Sequence, residues 1–310
     1  MPQVVLKVTP SRVQQMKDYY NKQLKATPQN AVFAAKTSNC TITAYKSGKV
    51  LFQGKNPDAE ATRWGSAEQT TSQPKAKSKK THAFHPDSSL FTRSHIGSDE
   101  AGTGDYFGPI TVAAAYVTED QIPVLKSLGV RDSKNLSDAQ ITELAKDIVA
   151  LKIPYSLLRL NNKKYNQWQR KGWSQGKIKT LLHHQALDRL LEKIAPEKPG
   201  GILIDQFSQP EVYEKHLRSE KLKLQENVYF MTKAESYSIA VAAGSIIARS
   251  AFVKAMNQIE FDTGLPIPKG ASGKVDQAAA EIIKAYGEEK LEELAKVHFA
   301  NTKKAKALVR

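Results

Sequence analysis

Cysteine is nearly absent. Cys40 stands alone among 310 residues, so no internal disulfide and no multi-thiolate metal site can form. Extracellular stapling and zinc fingers drop out with them. Long apolar runs are also missing, since no stretch approaches 18 consecutive apolar residues, the length a membrane span needs. The opening residues MPQVVLKVTP lack the apolar core of a secretory signal. The chain is therefore expected in the cytoplasm and away from membranes. Acidic residues are in deficit, with 31 Asp and Glu against 46 Lys and Arg, a net charge of +15. No HExxH pattern and no internal repeat is present.

What remains is ample for a core. Hydrophobic residues make up 40% and charged residues 25%, which are globular values. The length fits about two domains. A protein this basic usually meets a polyanion, nucleic acid before an acidic membrane; a solubilising surface charge is the plainer alternative. The charge is unevenly placed. Residues 1–82 hold 14 Lys and Arg against 4 Asp and Glu, a net of +10, while residues 83–310 hold 32 against 27. A small basic front part would grip, and a larger balanced part would do something that needs acids.

Residues 1–66 read as one domain with the order strand, helix, three strands, helix. The strands fall at 4–8, 31–36, 41–45 and 50–52. Pro10 opens a helix over 11–24, and Asn56 caps a second one ahead of Pro57. The sheet would carry both helices on one face. Its other face would be open and edged by Lys36, Lys46, Lys49 and Lys55. Residues 67–91 have few large apolar side chains and a Lys cluster at 75–80; they read as a linker. Residues 92–310 alternate strands at 95–99, 110–117, 155–160, 201–205 and 227–231 with helices at 137–151, 175–195, 210–218, 238–260 and 276–296. That order means an α/β domain with a mixed sheet.

The acids sit where strands end. Asp99 and Glu100 precede the glycine-rich run Ala101-Gly102-Thr103-Gly104. Neighbouring side chains on a strand point to opposite faces, so these two converge only if the chain bends there. The run is no Walker A loop, because it lacks the GK[ST] ending; on spacing alone it also reads as an ordinary tight turn. Asp205 ends the apolar run Gly201-Ile202-Leu203-Ile204, a buried strand that delivers a carboxylate to the sheet rim. Glu235 lies between a strand and a long helix, where a helix-start acid is the plainer reading. Carboxylates gathered at one rim repel unless they share a proton or a divalent cation. An all-oxygen site suits Mg²⁺ or Mn²⁺. Acids, such a cation and a basic grip together point to phosphodiester chemistry by two metal ions.

Other conspicuous groups carry less. His183 and His184 lie about 100° apart on a helix, so they cannot share one ligand, and they read as packing or surface groups. Trp168 and Trp173, with Lys163, Lys164, Arg170 and Lys171, form either a basic aromatic surface or a packed loop. Ile239, Ala243, Ile246 and Ile247 form a core stripe.

The runs DEAGTGDYFGP at 99–109, DSKNLS at 132–137, LIDQF at 203–207 and KAES at 233–236 together resemble bacterial ribonuclease HIII, of the type 2 ribonuclease H family. The resemblance covers nearly the whole chain. It includes the basic N-terminal domain, which is similar to half of a TATA-box-binding protein. It implies an RNase H-like mixed-sheet catalytic domain and Mg²⁺- or Mn²⁺-dependent endonucleolytic cleavage of the RNA strand of RNA–DNA hybrids, leaving 5′-phosphate and 3′-hydroxyl ends; a monomer is expected. It also implies a catalytic, metal-holding quartet of Asp99, Glu100, Asp205 and Glu235. Asp99 would bridge both metals, and Glu235 would position the one that activates water. The related ribonuclease HII family has Arg where Thr103 stands and usually Asp near the fourth acid. That departure points to hybrids with several ribonucleotides. Gly102, Thr103 and Gly104 are the candidates for reading 2′-hydroxyls, and Lys134 is a candidate phosphate contact. A junction resolvase or integrase of the same superfamily is opposed by the DEAGTG and DSKNLS runs. A non-catalytic nucleic-acid-binding protein would not need four acids at strand ends.

Overall fold

The computed structural model describes residues 3–28, 30–64 and 82–309. The chain divides into two units, residues 1–80 and 81–310. In the first, strands β1 (Gln3–Lys7), β2 (Leu24–Lys25), β3 (Ala31–Lys36), β4 (Cys40–Tyr45) and β5 (Lys49–Gly54) form an antiparallel sheet in the order β1-β5-β4-β3-β2. Helices α1 (Pro10–Tyr19) and α2 (Pro57–Thr62) cover one face. Val13, Met16 and Tyr20 pack there on Phe33, Ile42, Val50 and Phe52. Asn56 caps α2 through its side chain. α1 is shorter than the sequence predicts, because the chain turns at Tyr20 to lay Leu24 and Lys25 against Ala35 and Ala34. Edge pairing there outweighs helix propensity.

The second unit is a mixed five-stranded sheet, ordered β10-β9-β6-β7-β8. Its strands are β6 (His95–Ala101), β7 (Ile110–Val117), β8 (Tyr155–Leu160), β9 (Ile202–Asp205) and β10 (Val228–Met231). β6, β7 and β8 form an antiparallel meander, while β9 and β10 run parallel to β6. Helices α6 (Gln175–Ile194) and α7 (Pro210–Ser219) pack on one face. Helices α3 (Gln121–Ser127), α4 (Asp138–Ala150) and α8 (Ile239–Thr263) pack on the other. Helix α5 (Asn162–Arg170) precedes α6, and α9 (Gly273–Leu294) and α10 (Ala300–Val309) build a third cluster with Tyr106 and Phe107. α3, α5 and α10 escape the sequence reading, because they bury only a few residues each and α5 buries Asn162 and Asn166 beside Tyr165.

α8 sets the depth of the site. Its first ten residues, Ile239–Ala248, are buried on every side, and an enclosed stretch of this kind is apolar all round; Ile239, Ala243, Ile246 and Ile247 are buried as expected. It is long and apolar enough to span a membrane, contrary to the expectation from sequence, but its most apolar stretch is 83% buried in this unit. Close approach to β6 depends on Gly97, where a Cβ would lie 2.0 Å from the Val241 nitrogen.

Two expectations need correction. Residues 82–91 are assigned to the linker by composition, yet they pack on the second unit. The Phe84 carbonyl accepts from Phe230 N–H at 2.9 Å, His82 meets Gln206 at 3.1 Å, and Leu90 is buried. The Lys cluster at 75–80 lies outside the described residues. β6 also runs past Asp99 to Ala101, which pairs with Thr111, so no bend separates Asp99 from Glu100.

Candidate active site

The last parallel pair between β6 and β9 is Ser98 with Ile204. Asp99 and Asp205 therefore leave the ladder side by side on the α8 face. Asp99 is only 7% exposed. Its Oδ1 accepts from the Glu100 backbone N–H at 2.7 Å. Burial, and then repulsion from Glu100 and Asp205, raise its carboxyl well above the usual range, against a hydrogen bond from Ser245. Asp205 Oδ1 accepts from Ala234 N–H at 2.8 Å. Burial is again the main cause of its rise to about 6, opposed by that hydrogen bond and helped by Glu235.

The bond from Ala234 anchors a tight turn, Ala234–Ser236, which carries Glu235. Glu235 is 3% exposed. Its Oε1 takes the Lys134 ammonium, and its buried Oε2 has no hydrogen-bond partner among the described residues. Burial works against the charge of Lys134, but Glu235 and the acids behind it raise its pKa on balance. Lys134 itself follows the Asp132 side chain, which accepts from its backbone N–H at 3.0 Å.

Glu100 points to the opposite face of β6, as strand alternation requires. Lys179 Nζ meets its Oε1 at 2.8 Å, and His183 Nε2 meets its Oε2 at 3.0 Å. Burial alone would raise this carboxyl, but His183 and Lys179 outweigh it and hold it at about 2. The acids thus divide into an ion-paired Glu100, a pair of strained neighbours in Asp99 and Asp205, and a half-paired Glu235.

A cleft of about 390 Å³ opens over this rim. Asp99, Glu100, Asp205, Lys134, Ser245, Arg249 and Lys269 line it together with Gly102, Thr103 and Gly104. Glu235 does not line it, and sits behind Lys134. Among the described residues no three Asp, Glu, His or Cys side chains already close into a cation cage. The donor set still fits a hard divalent cation. All four groups are carboxylates, and Asp99 and Asp205 repel each other; among the described residues one buried oxygen is unsatisfied and neither Asp99 nor Asp205 forms a salt bridge.

The glycine run is less uniform than its sequence suggests. Gly102 has φ +85°, and a Cβ there would lie 2.3 Å from the Pro109 carbonyl. Gly104 is exposed, with nothing within 4 Å of an added Cβ. The Thr103 carbonyl accepts from Gln175 Nε2 at 3.0 Å. Beyond the run, Asp105 Oδ1 accepts from Gly270 N–H at 2.6 Å. The wholly buried Lys296 donates to the carbonyls of Asp105 and Gly108 at 2.8 and 2.7 Å, and burial lowers its pKa to about 7.

Residues 96–302 match the family model described as Ribonuclease HII, and residues 3–79 match a domain of unknown function, DUF3378. A ribonuclease HIII of Oceanobacillus iheyensis is 55% identical over 309 residues, all of both chains. The chain belongs to the ribonuclease HII family, in its ribonuclease HIII branch. A ribonuclease HIII of Bacillus mycoides is 52% identical over 99% of this chain and 98% of its own. The crystal structure of Bst-RNase HIII in complex with Mn²⁺ is 44% identical, with a TM-score of 0.69 over 100% of this chain and 99% of that one. The chain is thus an enzyme of the ribonuclease H kind, with an RNase H-like fold.

In this ribonuclease the sequence reading overlooks three groups on α6. His183 contacts Glu100 instead of merely packing, and Lys179 and Gln175 stand one and two turns before it. The available signal is that Gln175, Lys179 and His183 share one face at four-residue spacing beside the apolar stripe of Ile178, Leu182 and Leu187. His184 does turn away, to Asp188 and Gln225. Trp168 and Trp173 stack 5.1 Å apart and are partly buried against the core, with Lys164 and Lys177 over their rings.

Proposed function

We propose that this enzyme hydrolyses the RNA strand of RNA–DNA hybrids with two divalent cations, Mg²⁺ or Mn²⁺, leaving 5′-phosphate and 3′-hydroxyl ends. The observation that carries the reading is the Asp99–Asp205 pair beside the unsatisfied Glu235 Oε2, a buried excess of negative charge under an open cleft. Such an excess is costly unless cations offset it. Asp99, Asp205, Glu100 and Glu235 would hold the ions. When bound, the ions would lower the pKa of an attacking water and offset charge on the leaving 3′ oxygen. The Mn²⁺ in the Bst-RNase HIII structure supports a divalent ion in this family.

The chain's own groups would do the rest. Asp99, beside Asp205 at the rim, would contribute to holding both ions, and Glu235 would hold one through its buried Oε2. Lys134, whose side chain is 68% exposed, would meet a phosphate. Gly102 keeps the run close to the sheet, and the backbone at Thr103 and Gly104 would meet 2′-hydroxyls in a minor groove. A 2′-hydroxyl both donates and accepts, which separates RNA from DNA. The N-terminal unit would hold the hybrid through its basic sheet.

The test is incubation of labelled hybrid, RNA duplex and DNA duplex with Mg²⁺, with Mn²⁺ and with EDTA. Cleavage of the hybrid alone, only with a divalent ion, is expected. Cleavage of all three substrates, or of the hybrid in EDTA, would sink the reading.

A further inference from the structure

Helix α6 turns one stripe toward β6 and the glycine run. Gln175, Lys179 and His183 are spaced four residues apart, within about 80° around the helix. Together they reach Ser98, Glu100 and Thr103, along the segment that runs from β6 into the glycine run. Gln175 Nε2 donates to the Thr103 carbonyl at 3.0 Å. Lys179 Nζ donates to Glu100 Oε1 at 2.8 Å. His183 lies 3.0 Å from Glu100 Oε2 through Nε2, and 2.7 Å from Ser98 Oγ through Nδ1. Ser98 Oγ is in turn 3.2 Å from the Ala113 carbonyl on β7.

These contacts are rigidly backed. His183 is wholly buried. Its ring lies 5.1 Å from that of Phe207, and Lys179 Nζ lies 4.1 Å over the same ring. Ile178, Leu182 and Leu187 fix the helix in the core. Both oxygens of Glu100 are thus held before any cation arrives. A free glutamate would lose rotamer entropy on capturing an ion; one already fixed does not, and supporting hydrogen bonds of this kind raise metal affinity.

Resting on the hybrid-cleavage reading, we propose that α6 is a positioning element with two separable tasks. Ser98, His183 and Lys179 fix Glu100 for cation capture. Gln175 fixes the Thr103 carbonyl, and with it the backbone that meets the RNA strand. None of the four is a catalytic residue.

The experiment compares the full-length protein with Ser98→Ala, His183→Gln, His183→Asn and Gln175→Ala. Mn²⁺ binding is followed directly by the electron paramagnetic resonance of the free ion. Hybrid binding is measured by anisotropy in EDTA, and KM at saturating Mn²⁺. A Gln amide can reach the place of Nε2 and donate to Glu100, whereas Asn reaches only the place of Nδ1. Mn²⁺ affinity should fall about ten-fold in His183→Asn, the lower end for such outer contacts. It should stay near the parent value in His183→Gln and be unmoved in Gln175→Ala. Gln175→Ala should instead weaken hybrid binding and raise KM several-fold. Thermal melting accompanies each variant. If His183→Asn does not fold, Ser98→Ala against Gln175→Ala carries the same comparison. Equal Mn²⁺ affinity across the set, or parallel loss of ion and hybrid binding in every variant, would overturn the proposal. If the unmodified protein failed to cleave the hybrid in Mn²⁺, the functional reading itself would fall.

Discussion

Asp99 is enclosed at 7% exposure with two acids as neighbours, and among the described residues it forms no salt bridge. The pKa directions give this a sign. An acid whose folded pKa lies above its unfolded value holds its proton longer when folded. The folded state then binds more protons than the unfolded one, and stability falls as pH rises through that window. For Asp205 the window runs from the ordinary value of 3.8 to about 6; for Asp99 it extends upward from the same start. At neutral pH without metal, the site therefore works against folding. Asp99→Asn keeps the shape and removes the charge. It should abolish hybrid cleavage, leave hybrid binding nearly intact, and raise the Tm of the EDTA-treated protein at pH 7.5. Each kcal/mol relieved is worth about 2–4 °C in a domain of this size. Mg²⁺ or Mn²⁺ should raise the Tm of the parent protein and not that of the variant. Melting curves with and without metal, beside a cleavage assay, check both parts. Substantial cleavage by folded Asp99→Asn would remove the acid from its assigned role.

At the scale of elements, β6 and its glycine run do two different things with two similar glycines. Gly102 combines φ +85° with a crowded site against Pro109 and Phe252, and Gly104 has neither constraint. Gly102→Ala should therefore destabilise the protein by about 1–3 kcal/mol, the range for forced backbone strain. Gly104→Ala should leave stability within about 0.5 kcal/mol, as open surface positions do. Urea unfolding of both variants decides this; equal losses would mean that the run is held by something other than Gly102. The sequence suggests no such distinction, because the two glycines look alike until the neighbours from Pro109 and α8 are in place. What the sequence does reveal is local. An apolar run ending in an acid marks the rim position of Asp205, the glycine-rich run that follows Asp99 marks that of Asp99, and Asn56-Pro57 marks a helix start. What stays hidden depends on facing partners. His183 reads as a packing group until Glu100 is set opposite it, and residues 82–91 read as linker because their anchors are backbone bonds and a few aromatic rings.

The whole molecule separates charge from acid chemistry. The net +10 of residues 1–82 lies apart in sequence from Asp99, Glu100, Asp205 and Glu235. In the first unit, strand alternation turns Lys7, Lys49, Lys36 and Lys25 to the sheet face opposite α1 and α2, along with Val5, Leu51 and Thr43. The two units have separate cores, one around Phe33, Ile42 and Phe52 and another around β6, β7 and α8. Because His82 and Phe84 are bonded to the second unit, the cut that spares it falls before residue 82. The fragment 82–310 should fold, keep most of its turnover number, and show a much higher KM for hybrids. Each phosphate neutralised releases counterions, so affinity falls with salt by a log–log slope of roughly 0.7–0.9 per contact. Losing the basic unit should flatten that slope. A tethered grip also raises the local concentration of substrate at the cleft, which shifts the expected loss to KM. Steady-state kinetics of the fragment at two salt concentrations, with circular dichroism to establish folding, separates the terms. A folded fragment with the full affinity and salt slope of the intact chain would assign the grip to the second unit, whose own net charge of about +5 would then have to carry it.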